Sequence, residues 1–85
     1  MDVFHQKSFK KNFKKLPQSV KESFQKRMMI FLRDEHDPLL RAHKLNPPWA
    51  GYKSIDITGD VRLIYKIEGS VCKLYRIGTH AELYE

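Results

Sequence analysis

The chain predicts an α+β fold with the element order β-α-α-β-β-β, and three observations carry that expectation. Three β-rich runs, Tyr52–Ile57, Val61–Ile67 and Val71–Ile77, are joined by Thr58-Gly59-Asp60 and Glu68-Gly69-Ser70. Glycine-containing links of that length turn a strand back on itself, so the runs form an antiparallel meander. Upstream, Phe9, Phe13 and Leu16 recur at helical spacing, as do Val20, Phe24, Met28, Phe31 and Leu32. Two amphipathic helices in succession need an apolar sheet face to cover. The expected architecture is an antiparallel twisted sheet packed on a helical hairpin. Eighty-five residues leave room for one core, hence one domain over 1–85.

In chain order, Met1–His5 is a short strand, edge or central, on the strength of Val3 and Phe4. Pro17 separates the helices, because the residue before a proline is driven out of the α region. It can also occupy the first turn of the next helix, where a missing N–H does no harm. The second helix runs to about Arg33, and Asp34-Glu35-His36-Asp37-Pro38 breaks it. His36 has no second histidine or cysteine at ligand spacing, so no metal site and no cofactor are expected there. Leu39–Leu45 is a short strand or an irregular crossing that carries His43. Asn46–Gly51, with two prolines and a glycine, is a loop. Its Trp49 is either a lid on the core or a ring exposed for stacking.

Sixteen Lys+Arg against ten Asp+Glu give a formal net charge of +6, and the excess is uneven. Residues 1–45 hold eleven basic and five acidic side chains, whereas residues 46–85 hold five of each. Lys7, Lys10, Lys11, Lys14 and Lys15 gather on the polar face of the first helix. Like charges so close weaken a helix, and an unrelieved cationic face attracts polyanions or an acidic protein segment. The lone Cys72 cannot form an internal disulfide and lies in a strand, as a buried structural thiol does. With no apolar run of membrane-spanning length and no signal-peptide pattern, the expected location is the cytoplasm.

The chain closes on Arg76-Ile77-Gly78-Thr79-His80-Ala81-Glu82-Leu83-Tyr84. A cation, an imidazole and an aromatic ring at four-residue spacing, where a strand stops, suit the handling of a phosphate. Arg62 and Arg76 alternate against the apolar residues of neighbouring strands and are expected to share one face.

Together with His43-Lys44-Leu45, Trp49-Ala50-Gly51-Tyr52-Lys53 and Asp60-Val61-Arg62-Leu63-Ile64-Tyr65-Lys66, this ending resembles the RelE/ParE superfamily of bacterial type II toxins. Within it, the likeness is to the YafQ-like messenger-RNA endonucleases. The resemblance covers residues 43–84 by motif and the first forty by element order. It implies a RelE-like fold, an antitoxin encoded beside it, and ribosome-dependent, metal-independent cleavage of mRNA. Carried over by position, the acid/base histidines fall on His43 and His80, an aspartate on Asp60, and a terminal aromatic on Tyr84. The phosphate-binding arginine falls on Arg76, with Arg62 as the strand arginine of RelE-type members and Lys53 and Trp49 on the substrate side. Lys7, Lys10, Lys11 and Lys14 would meet ribosomal RNA at the A site, or the acidic antitoxin. One position departs: Asp56 stands where the YafQ-like pattern has a further histidine, which bears on the proton relay.

That chemistry needs the RNA 2′-hydroxyl as nucleophile, a base for its proton, an acid for the 5′-oxygen and a cation for the phosphorane. Imidazole titrates near neutrality, and a guanidinium fork matches phosphate oxygens. Tyr84 and Trp49 are rings on which a splayed base can stack. Each residue has a plainer reading: His43 structural, His80 capping a turn or bonding Glu82, Tyr84 plugging the core, Asp60 bonding its own turn. Two other functions fit the same fold, a non-enzymatic gyrase inhibitor of the ParE branch and a catalytically impaired RNA-binding member.

Overall fold

In the computed structural model, which describes residues 1–84, the meander and the two helices stand where the periodicity puts them. The elements are β1 (Asp2–His5), α1 (Lys7–Lys14), α2 (Gln18–Arg33), a 3₁₀ turn (Pro38–Leu40), β2 (His43–Lys44), β3 (Lys53–Asp56), β4 (Val61–Glu68), β5 (Val71–Thr79) and α3 (His80–Tyr84). Pro17 immediately precedes α2, with φ −59° and extended ψ, so its ring enforces the break between the helices.

The sheet order is β1-β5-β4-β3-β2. β1 is an edge strand, parallel to β5, while the other pairs are antiparallel. One face of the meander meets the helices. Val61, Leu63 and Tyr65 of β4, with Leu74 and Ile77 of β5, join Phe9, Phe24, Met28 and Phe31 in one core cluster. Phe31 sets its edge against Tyr65, with ring centroids 5.0 Å apart. Leu32 departs from the expected stripe and is 53% exposed, beside an equally open Met29. Phe31 and Met28 already take the inward positions, and a residue one step on is turned about a third of a circle away.

Two elements lie outside the expected order. The first is β2, which resolves the crossing at residues 39–45 into a 3₁₀ turn followed by a two-residue strand paired with Lys53 and Ser54. The second is α3, where the sequence suggested only a polar turn around His80. Its start is a capping box. The Thr79 hydroxyl accepts from the Glu82 amide at 3.2 Å, and Glu82 Oε1 accepts from the Thr79 amide at 2.7 Å. Gly78 permits this closure, since a Cβ there would lie 3.0 Å from the same Glu82 oxygen. Among the described residues, no helix is long and apolar enough to cross a membrane.

Candidate active site

A cleft of about 540 Å³ opens between the end of the meander, α3 and the loop after β2. His43, Arg62, His80 and Tyr84 line it, and Trp49 stands on its wall with Pro47 and Pro48. Arg62 arrives there because it alternates against Val61 and Leu63, which point into the core. His80 and Tyr84 occupy the first and last positions of α3, four residues apart and therefore on one helix face. Their rings lie 4.7 Å apart.

His43 is fixed at both ring nitrogens. Nδ1 lies 3.1 Å from the Arg41 carbonyl and Nε2 lies 3.2 Å from the Ser54 hydroxyl. A carbonyl only accepts, so Nδ1 carries the proton of the neutral ring and Nε2 receives the Ser54 O–H. Arg41 presents that carbonyl from a left-handed backbone conformation, φ 51°, which ends the 3₁₀ turn. Ser54 is fully buried and faces His43 directly across the β2–β3 pair. Burial pushes the Tyr84 phenol up, while Ser54 and the charge of Arg62 pull the other way.

Arg62 is held as firmly. Its Nε lies 3.0 Å from Asp56 Oδ1, and its Nη1 donates to the Gly59 carbonyl at 3.1 Å. The second carboxylate oxygen of Asp56 lies 3.5 Å from Arg41 Nε. Trp49 settles between its two expected readings: it is half-buried, edge-on to Tyr52 at 5.0 Å, and still forms part of the cleft wall.

Three expected site residues stand elsewhere. Asp60 is exposed at the rim, where it shares a shallow hollow of about 290 Å³ with Arg62 and His80. The bonds of its turn come from Thr58, whose hydroxyl accepts from the Asp60 and Val61 amides. Arg76 does not join Arg62 in the cleft. In the β4–β5 register Arg76 lies opposite Ile64, two residues along the ladder from the Arg62–Gly78 pair, and its side chain turns to α1 instead of the cleft. Arg76 Nε bonds Asn12 Oδ1 of α1 at 3.0 Å, Nη2 approaches the Glu82 carbonyl, and the side chain lines a separate groove. Lys53 is neighbour to Ser54 in β3, so the pleat sends it to the opposite face, away from the cleft. Sequence reasoning missed Ser54 and Arg41. A hydroxyl at an alternate position of an apolar strand was the available signal for Ser54; nothing in the sequence marks Arg41.

Similarity to known proteins agrees with this geometry. A family profile described as "Bacterial toxin of type II toxin-antitoxin system, YafQ" matches residues 1–85. The chain belongs to the YafQ toxin family. A search of curated protein sequences returns no match. Among solved structures, YafQ from E. coli superposes with a TM-score of 0.83 at 25% identity, over 99% of this chain and 98% of that one. YafQ in the E. coli DinJ–YafQ toxin–antitoxin complex gives 0.80 at 25% identity, over 99% and 97%. A YoeB/ParE toxin from Agrobacterium tumefaciens, 20% identical, shares the fold with a TM-score of 0.79 over 94% and 99%. As a YafQ-family toxin, the protein has the RelE-like α+β architecture that the meander and helical hairpin suggested.

Proposed function

We propose that this YafQ-family toxin is an endoribonuclease that cleaves mRNA in the ribosomal A site by attack of the RNA 2′-hydroxyl on the adjacent phosphate. The observation that carries this reading is the convergence of two imidazoles, a guanidinium and an aromatic ring on one cleft. Arg62, charged at every working pH, stabilises the phosphorane through the guanidinium nitrogen not tied to the protein. His80, exposed on α3, exchanges a proton with a reacting oxygen. His43 is the second proton carrier; with both nitrogens engaged, it communicates with the cleft through Ser54 and Tyr84. Tyr84 and Trp49 offer faces for a splayed base, and Asp60 at the rim completes the group around His80.

The lysines have a different task. Lys7, Lys10, Lys11 and Lys14 border a groove along α1 that contains no acidic residue. Such a face supplies long-range attraction to the ribosomal RNA backbone. In the solved complexes YafQ is held by DinJ, and a RelE by RelB. By analogy a cognate acidic antitoxin covers this toxin in the cytoplasm, with the same cationic surface as one point of contact.

Primer extension on a defined mRNA in a translating extract tests the assignment. New 5′ ends within codons at the A site, and 2′,3′-cyclic phosphate on the upstream fragment, are expected. Intact mRNA together with inhibited DNA gyrase would replace this reading with the ParE-type one. Intact mRNA with retained RNA binding would mark an impaired member.

A further inference from the structure

Asp56 occupies the position where the sequence departs from the YafQ-like pattern, and the structure gives it work of another kind. Asp56 and Arg62 are direct cross-strand partners in the β3–β4 register. Opposite charges at such a pair attract across a short, fixed distance. Here the pair closes at 3.0 Å between Nε and Oδ1, with the carboxylate side chain only 15% exposed and the arginine 25%. The Gly59 carbonyl takes Nη1, so two of the three guanidinium nitrogens are tied down. Arg41, a largely exposed side chain, approaches the remaining carboxylate oxygen at 3.5 Å, so each Asp56 oxygen faces a guanidinium.

We propose that Asp56 is the positioning residue for Arg62, an inference that rests on the ribonuclease reading of the cleft. A free arginine samples many rotamers, and an arginine that must be found in one geometry at the transition state gives up that freedom in the rate. Asp56 removes it beforehand, leaving Nη2 as the guanidinium nitrogen available to a phosphate oxygen. The guanidinium is thereby aimed, at the cost of part of its net charge. Aspartate here therefore trades affinity for alignment. A histidine at this position would offer neither the full negative charge nor an acceptor pair matched to the fork. The proton relay passes Asp56 by, since each of its oxygens faces a guanidinium.

Two measurements on Asp56→Asn and Asp56→Ala separate this role from its rivals. In ¹H–¹⁵N spectra of the free protein, the Arg62 Nε–H signal is expected to be slow to exchange in the wild type and to broaden or vanish in both variants. An Arg62 Nε–H signal unchanged by both replacements would overturn the proposal, and this readout is independent of any RNA cleavage. On RNA, both variants should bind a short oligonucleotide as tightly as the wild type or a few-fold tighter, since an anion has left the site. Single-turnover cleavage should fall by about tenfold to a hundredfold, the scale of a small misplacement of a catalytic group. The Asp56→Ala/Arg62→Ala double variant should be no slower than Arg62→Ala alone. Loss of one limb of the pH–rate profile in Asp56→Asn would instead make Asp56 a proton carrier. Additive losses in the double variant would also refute the positioning role. If the wild type cleaves nothing while the Nε–H result holds, the ribonuclease reading fails and the positioning of Arg62 stands.

Discussion

The His43 imidazole and the Ser54 hydroxyl meet across two strands at 3.2 Å, and Ser54 has no exposed surface. A hydroxyl can donate or accept, so this bond reverses direction when the imidazole gains a proton. Neutral His43 takes the Ser54 hydrogen at Nε2; the charged ring returns one to Ser54 Oγ, which frees the hydroxyl hydrogen for another acceptor. Ser54→Ala cuts this connection while leaving the cleft walls in place. Cleavage is expected to fall by about tenfold to a hundredfold. Stability should drop by only about 0.5–1.5 kcal/mol, the usual net worth of a lost hydrogen bond. Ser54→Thr, which keeps the hydroxyl, should recover most of the rate. Urea titrations beside single-turnover assays check both numbers, and full activity in the alanine variant would sever the link between His43 and the cleft.

His80 has the more direct part. Its replacement by alanine should lower cleavage by about 10²–10⁴, the range for loss of a general acid or base. Because His80 is exposed at the start of α3, the melting temperature should hardly move. A variant as toxic and as active as the wild type would remove His80 from the chemistry.

Glu82 makes the helix that carries His80 sensitive to acid. The Thr79 amide holds the Glu82 carboxyl below its ordinary value, helped by the Thr79 side chain and more weakly by Arg76 and Lys15. A depressed carboxyl contributes its stability above the unfolded value, near 4.3, and loses it as the pH falls through the folded one. The Thr79 amide resonance should therefore keep its hydrogen-bonded position at neutral pH and shift only as the pH falls below the ordinary carboxylate range. Glu82→Gln keeps an acceptor that cannot titrate, so its Thr79 resonance should show no such acid transition. An identical transition in that variant would place the titrating group elsewhere.

Cys72 should be chemically silent. It is fully buried in β5, and burial, with the Glu35 charge adding to it, pushes the thiol up to about 11. The thiolate is the reactive form, so alkylation by iodoacetamide at pH 8 should occur only through unfolding. Its rate should rise steeply across the urea transition. Native-state labelling at the speed of a free thiol would contradict the burial.

The parts of this molecule that were legible in the sequence are those long enough to show a period. Phe24, Met28 and Phe31 repeat over two turns, and Val61, Leu63 and Tyr65 over much of a strand, so α2 and β4 announce themselves. β2, at two residues, has no period to show. α3 is nearly as short, and its evidence was chemical: Thr79-x-x-Glu82 is a capping box written in plain sequence. The cleft residues His43, Arg62, His80, Tyr84 and Trp49 were legible through the family motifs in which they stand, since β2, α3 and the loop after β2 are too short or irregular to show a period. Arg76 and Lys53 stand away from the cleft for different reasons: Arg76 reaches Asn12 of α1, a contact no strand period foretells, and Lys53 is set by the pleat. Lys53 sits one step from the position that faces His43, so the pleat turns it to the other face. Asp56 and Arg62 needed register, which neither residue reveals alone.

The parallel pairing of β1 with β5 bears on when the cleft can form. Asp2 to His5 find their partners at Val71 to Leu74, so the first strand to be synthesised waits for the last. Such distant pairing is the slow part of folding, and a growing chain cannot satisfy it. Until β5 emerges, a nascent chain has the lysine helix but neither the strand that backs the cleft nor the helix that brings His80. The cleft therefore assembles only at the end, when β5 and α3 join the elements already made.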